Sequence, residues 1–455
     1  MLSKSTRRIL ISALIVGAGF FVSKITGFLD DRILVQTLGG SAQLDAYYAA
    51  SNLPERLFML ISGSALAMAF IPMFTGFLAQ QERAQAWKLA SAVVNTAFIA
   101  TFLSSTVLAI FAPQVVALTV GRGFSPEQQQ LTANLMRVIL IGQVVFSISG
   151  VVMSVLQANQ SFFLPALAPI MYNLGVLGGV IFLAPTLGVW GPVIGVVTGS
   201  LLHLFIQVPG LIKHQARWIM RLGWRDPDLR RVVQLMIPRV IGVGAVQIAG
   251  IVSDSLASTL PAGSVAALSN GWKVMQLPET LIATAIATAA FPTLSEFASR
   301  GQIGQLRSTL RITLLTIIAL TIPATISLLL LGQQVVALLY DASPQVMLPI
   351  TWALHGYAIG LLGHSMLEVA ARTFYAQQDT WTPLYVAVGA MGVGIAASFL
   401  LRDSLGVGGL ALANASGVTV EVIILLIILR RRLQRVSLSE QKFAPSPALP
   451  VSEES

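Results

Sequence analysis

WKVMQLPETLIATAIATAAFPTLS, residues 272 to 295, sets a lysine, a glutamate and two prolines inside a run otherwise apolar enough to be buried. Residues 51 to 74, SNLPERLFMLISGSALAMAFIPMF, repeat the pattern with the same Leu-Pro-Glu, a run of small residues and the same aromatic-then-proline ending. A proline inside a helix lacks its N–H and frees a carbonyl. Within lipid that is tolerated only beside protein or a water-filled cavity. Pro54 and Pro278 are therefore read as bends in cavity-lining helices, and Pro72 and Pro292 as prolines at helix ends.

The surrounding chain has 455 residues, 55% hydrophobic and 10% charged, with a mean hydropathy of +0.78. Soluble domains carry about 25% charged residues, so the fold class is an all-α integral membrane protein. About 20 apolar residues in a helix cross the roughly 30 Å of hydrocarbon. Twelve such segments are legible, near 9 to 29, 52 to 78, 88 to 112, 131 to 156, 163 to 184, 189 to 212, 232 to 258, 268 to 298, 311 to 332, 347 to 373, 382 to 401 and 407 to 430. The first is expected to be retained, because no small-residue cleavage site follows it.

The net charge of +9 has a side. Loops on the side of the N-terminus carry nineteen lysines and arginines, against Arg32, Arg122 and Arg402 on the other. This bias predicts both termini in the cytoplasm and gives no reason to invoke nucleic acid. Residues 213–231 hold six of the nineteen and are expected to form a basic cytoplasmic linker; residues 436–455, polar and proline-containing, are expected to be a disordered tail. The absence of cysteine excludes disulfides and thiolate metal sites.

The quoted echo is part of a longer duplication. TLGGS (37–41) answers to TLPAGS (259–264), NLPE (52–55) to QLPE (276–279), and LQANQSFFLP (156–165) to FYAQQDTWTP (374–383), at offsets between 218 and 224 residues. Residues 1–212 and 232–435 thus form two lobes of six helices each. An even number makes both enter from the same side, as in transporters built from parallel repeats, whose substrate sites lie between the halves.

Ionisable groups at membrane depth cost about 2.5–3.5 kcal/mol even on a mild insertion scale, and by default mark function. Here they are Lys24, Asp30, Asp31, Glu55, Arg56, Arg239, Asp254, Lys273, Glu279, Glu368 and Glu421. Lys24, Arg56, Arg239 and Lys273 lie on the first two helices of the two halves; converging, they would suit an anion such as a phosphate. Arg239, after Pro238 near a helix end, can instead snorkel, and Glu55 can neutralise Arg56. Asp254, Glu368 and Asp379 are candidate oxygen ligands for a coupling sodium ion or proton, with helix-end solvation the alternative for Asp379. His203, His214, His355 and His364 have no metal spacing and read as structural. No GxxxxGK[ST] loop and no nucleophile-and-base arrangement is present, so nothing points to an enzyme, an ATP-driven pump or a bound cofactor.

LQANQSFFLPALAPIMYNLG (156–175), SNLPERLFMLISGSALAMAFIP (51–72), WKVMQLPETLIATAIATAAFPTLS (272–295) and SKITGFLDDRILVQTLG (23–39) closely resemble the MurJ/MviN family. Those proteins are lipid II flippases of peptidoglycan synthesis, in the multidrug/oligosaccharidyl-lipid/polysaccharide exporter (MOP) superfamily. The resemblance implies MATE-like lobes in a V around a central cationic cavity in the bacterial plasma membrane. It also implies outward movement of an undecaprenyl-pyrophosphate-linked disaccharide pentapeptide by alternating access. Family members usually carry fourteen helices where twelve are read here; the last pair forms a lipid-facing groove. Lys24 matches a family arginine, Asp31 the family aspartate, and Lys273 an essential cavity arginine. Asp30 stands where the family has arginine, and Phe58 and Met59 where it has an arginine pair.

The expected function is that of a flippase for a lipid-linked cell-wall precursor, with Lys24, Arg56 and Lys273 binding the anionic head, Arg239 beside them, and Asp31 orienting one of them. A flippase for another polyprenyl-linked glycan, favoured by the lost arginines, is an alternative. Two others are a drug/cation antiporter dependent on the intramembrane acids and a transport-dead scaffold recruiting cell-wall synthesis proteins.

Overall fold

The computed structural model describes residues 4–62, 64–220 and 222–443. Among them the chain forms twelve helical passes. We label these α1 (Lys4–Leu38), α2 (Ala42–Ser62 and Ser64–Ala79), α3 (Arg83–Ile110 and Ala112–Leu118), α4 (Pro126–Ala158), α5 (Phe163–Gly178, continuing to Leu187) and α6 (Trp190–Phe205 and Val208–Lys213). The second half holds α7 (Pro227–Ala257), α8 (Ser264–Glu279, continuing to Ser299), α9 (Ile303–Tyr340), α10 (Pro344–Ala376), and α11 and α12, which divide Trp381–Phe443 at Gly406.

Helices α1, α2 and α7 carry Lys24, Asp30, Asp31, Arg56 and Asp254.

The duplication is written in the backbone. Left-handed φ angles recur in pairs: Gly39 and Gly263, Gln81 and Gly301, Gln160 and Gln378, Gly188 and Gly406. Gly188 and Gly406 share both angles, at φ 57, ψ −133 and φ 56, ψ −135. Two of these pairs close with the same six-residue helix stop, Glu82 N–H to Phe77 O with Gln302 N–H to Phe297 O, and Ser161 N–H to Leu156 O with Asp379 N–H to Phe374 O, which satisfies carbonyls a helix end would leave unpaired.

The lobes share one core at the end away from the termini. Leu44 and Tyr48 of α2 pack in a single cluster with Val265 and Leu268 of α8, Tyr340 of α9 and Leu354 of α10. Toward the termini the N-lobe has its own cluster around Phe70, Phe74 and Trp87, joined by Leu229 and Val232 of α7. The C-lobe has another around Leu294, Leu310, Phe374 and Leu425. Through α7 the lobes also meet toward the termini, where Lys88 pairs with Asp226 at 3.3 Å and Gln85 donates to Asp228 at 3.3 Å.

Several boundaries differ from the sequence reading. Helix α2 begins at Ala42 rather than near 52, because the polar residues of its first turns face the other lobe. Pro72 and Pro292 lie inside helices that continue about two turns beyond them, since a proline removes one hydrogen bond and the ladder then resumes. Pro54 is likewise internal and buried, and Pro278 is followed at once by a widened turn, Thr280–Thr284. Helix α7 starts at Pro227, within the segment read as linker, where Asp226 caps it by accepting from Asp228 N–H at 3.1 Å. Helix α12 runs on to Phe443, into the tail read as disordered, because no glycine or proline stops it before Pro445.

Candidate functional site between the lobes

On α2 the polar residues Asp45, Tyr48, Asn52 and Arg56 recur at spacings of three and four, which puts them on one face of the helix. Each reaches the C-lobe. Asp45 accepts from Gly263 N–H at 2.6 Å and Ala266 N–H at 2.9 Å. It thereby supplies, from the other lobe, the cap that α8 lacks locally; the positive φ of +91 at Gly263 makes that approach open to glycine.

One turn further, the Tyr48 hydroxyl lies 3.0 Å from Asp31 Oδ1 and 2.9 Å from Asn270 Oδ1, with one proton to give between them. Asn270 Oδ1 also accepts from Tyr340 at 3.3 Å. Lys273, one turn along α8 from Asn270, donates to both oxygens of Asp31, at 2.6 and 2.8 Å, with its ammonium 5.2 Å above the Tyr48 ring. Lys24, two turns before Asp31 on α1, shares the electrostatic field of Lys273, Asp31 and Glu279.

Next on the α2 stripe, Asn52 donates to Asp254 at 3.1 Å and Arg56 closes an ion pair with the same oxygen at 2.6 Å. Arg56 therefore does not neutralise its neighbour Glu55, whose side chain leaves the helix about 100° away. Asp254 is buried and held by Arg56 and Asn52, which is the environment of a counter-ion.

The other two acids read as ion ligands sit apart. Glu368 pairs with Arg372 one turn on, at 2.9 Å. Asp379, in the loop before α11, pairs with Arg432 of α12 at 2.6 Å and accepts from Thr382. Burial raises the Asp379 carboxyl, and the hydrogen bonds from Thr382 and Arg432 with the Arg432 charge together outweigh it, holding the group below the usual carboxylate range. Each of the three acids thus has its own arginine, and they form no common site. Among the described residues no three His, Asp or Glu side chains gather as a metal centre. Arg239 lies on α7, and its side chain is outside the described residues. Where the family has its arginine pair, Phe58 stacks at 5.7 Å on Phe146 and Met59 meets Gln247.

Beyond this seam, further contacts join the lobes at the end away from the termini. Arg32 pairs with Asp341 at 2.7 Å, Gln36 donates to Asp341 O at 3.0 Å, and Gly123 N–H donates to Ser258 Oγ at 3.0 Å. These contacts tie the lobes together at that end.

The family model described as Lipid II flippase MurJ matches residues 34–446. The chain belongs to the MurJ family. It is 28% identical over 437 residues to the lipid II flippase MurJ of Burkholderia cenocepacia, covering 93% of this chain and 84% of that one. Against the probable lipid II flippase MurJ of Thermotoga maritima the identity is 27% over 401 residues, with 87% and 80% covered. Among solved structures, a lipid II flippase MurJ in an inward closed conformation superposes with a TM-score of 0.79 at 23% identity, covering 94% of this chain and 91% of that one. An inward-facing MATE transporter of the MOP superfamily gives 0.74 at 17% identity, covering 91% and 96%. The chain thus shares its fold with that MATE transporter.

Sequence reasoning missed Asp45, Tyr48, Asn52 and Asn270. The signal was present as polar residues spaced three and four apart, but Asp45 and Tyr48 lay before the span read at 52–78, and Asn52 and Asn270, inside spans, are uncharged and were passed over for the ionisable residues.

Proposed function

We propose that this chain moves lipid II, the undecaprenyl-pyrophosphate-linked peptidoglycan precursor, from the cytoplasmic to the outer leaflet of the bacterial plasma membrane by alternating access. The observation that carries this is the Lys273–Asp31 bridge between the lobes, with Lys24 in the same field. With both termini in the cytoplasm, as the loop charges predict, the end tied by Arg32 and Asp341 is the outer one. Membership of the MurJ family supports the same substrate.

Two ammonium groups in one poorly solvated field repel, and an anion between them relieves the repulsion. A pyrophosphate entering from the cytoplasm competes with Asp31 for Lys273. Once Lys273 has turned to the phosphate, Asp31 and Tyr48 lose the cation that ties them to α8. The remaining links are hydrogen bonds, the more exposed Arg32–Asp341 pair and the buried Arg56–Asp254 pair; the first two are of small individual worth, and the lobes part at the outer end once the last also yields. With about two negative charges leaving a cell that is negative inside, 100 mV contributes about 4.6 kcal/mol, from about 2.3 per charge. The membrane potential alone can drive the cycle.

Purified protein in liposomes loaded with fluorescent lipid II tests this. Transfer between leaflets should be fast with the native chain and lost in a Lys24→Ala/Lys273→Ala double variant; equal rates would remove both lysines from the site.

A further inference from the structure

One buried carboxyl takes no part in the seam. Asp30 is 7% exposed and its Oδ1 is buried without a hydrogen-bond partner, whereas its neighbour Asp31 receives Lys273 twice and Tyr48 once. The ionisable groups around it are Asp31 on its own helix, Lys273 on α8, Tyr47 on α2 and Tyr172 on α5. The tyrosines are neutral in the physiological range, and the lysine is committed to Asp31. The following residue, Arg32, is engaged with Asp341. A carboxylate left ionised in such surroundings, with no hydrogen bond and a second carboxylate beside it, costs several kcal/mol. While Lys273 sits on Asp31 its ammonium offsets part of that cost; once it leaves, only a proton does.

We propose that Asp30 is a proton-binding site whose occupancy is linked to capture of the anionic headgroup by Lys273. The inference rests on the anionic-substrate function proposed above. When phosphate draws Lys273 away, Asp31 is left with an uncompensated charge, and Asp30 takes a proton from water to avoid a second one. When Lys273 returns to Asp31 after release of the headgroup, the proton goes back to water. Linkage is reciprocal, so a protonated Asp30 favours the state in which Lys273 is free to hold phosphate. Asp30 occupies a position where the family carries arginine, and the linkage is therefore a property of this chain rather than of the fold.

The test uses the full chain in nanodiscs with lipid II, whose pyrophosphate diester does not titrate between about pH 5 and about pH 9. Native affinity should weaken by about tenfold across that range. Asp30→Asn, which mimics the protonated form, should bind at every pH as tightly as the native chain does at the acid end. An indicator dye in weakly buffered solution should report up to about one proton taken up per headgroup bound, and none for the variant. An unchanged pH profile in Asp30→Asn, or no proton uptake by the native chain, overturns the proposal; the dye measurement decides alone if the variant fails to assemble. Binding that is tight and independent of pH sinks the linkage and leaves the flippase function standing. No binding at any pH removes both.

Discussion

Lys273 of the C-lobe sets its ammonium 2.6 and 2.8 Å from the two carboxylate oxygens of Asp31 of the N-lobe. The cation that holds the lobes together is of the type that a phosphate would seek. A link and a binding group are one residue.

Lys273→Ala leaves the buried Asp31 without its cation. Breaking a buried pair costs about 3–5 kcal/mol, and the partial exposure of the lysine reduces that to about 1–3 kcal/mol. Adding Asp31→Asn should recover most of the lost thermal stability while flipping stays more than about tenfold down. A double variant less stable than Lys273→Ala would show that Asp31 is held by something else.

Gly250 faces Arg56 so closely that a methyl group there would meet the guanidinium. Gly250→Ala should therefore swing Arg56 off Asp254 and reduce transport, although alanine favours a helix by up to about 1 kcal/mol. In an Arg56→Ala background the same change should be harmless or stabilising. Additive losses in the double variant, read by thermal unfolding and flipping rate, would contradict the contact.

The twelve passes and the two lobes follow from features written locally, apolar runs and charges within them; the family resemblance set Asp31 beside one of the cations without saying which, and the structure pairs it with Lys273. The partners of Asp45 and Arg56 follow from neither. Asp45 meets Gly263 more than two hundred residues away, and nothing near Asp45 in the chain says that α8 lacks a cap. Arg56 had an acid beside it in sequence, and helix geometry turned it toward Asp254 instead. Pro72 and Pro292 misled because a proline near an apolar boundary looks the same whether the helix stops or bends.

The tied end can be locked. A Cβ on Gly40 would lie 3.9 Å from Val346 Cβ, within the roughly 3.5–4.5 Å of a disulfide, and the chain has no native cysteine to interfere. Gly40→Cys/Val346→Cys should cross-link under mild oxidant and arrest flipping, with recovery on reduction. A cross-linked protein that still flips would mean that this end need not open.

Asp379 lies outside the spans, and its carboxyl is held below its ordinary value of 3.8 by Thr382 and Arg432. A depressed value in the folded state gives stability that is whole above the ordinary value and is lost as pH falls from there through the folded one. The melting-temperature difference between the native chain and Asp379→Asn should be constant at neutral pH and shrink below about pH 4. A difference that holds to about pH 2 would place the effect in packing rather than charge.

The most direct measurement is complementation in bacteria whose own lipid II flippase can be switched off, with lipid II counted on the outer face of the plasma membrane. The native chain should restore outer-face lipid II, and Lys273→Ala, expressed and inserted to the same level, should not. No lipid II at the outer face despite well-inserted native protein would contradict lipid II as the substrate, and full exposure with Lys273→Ala would contradict the site.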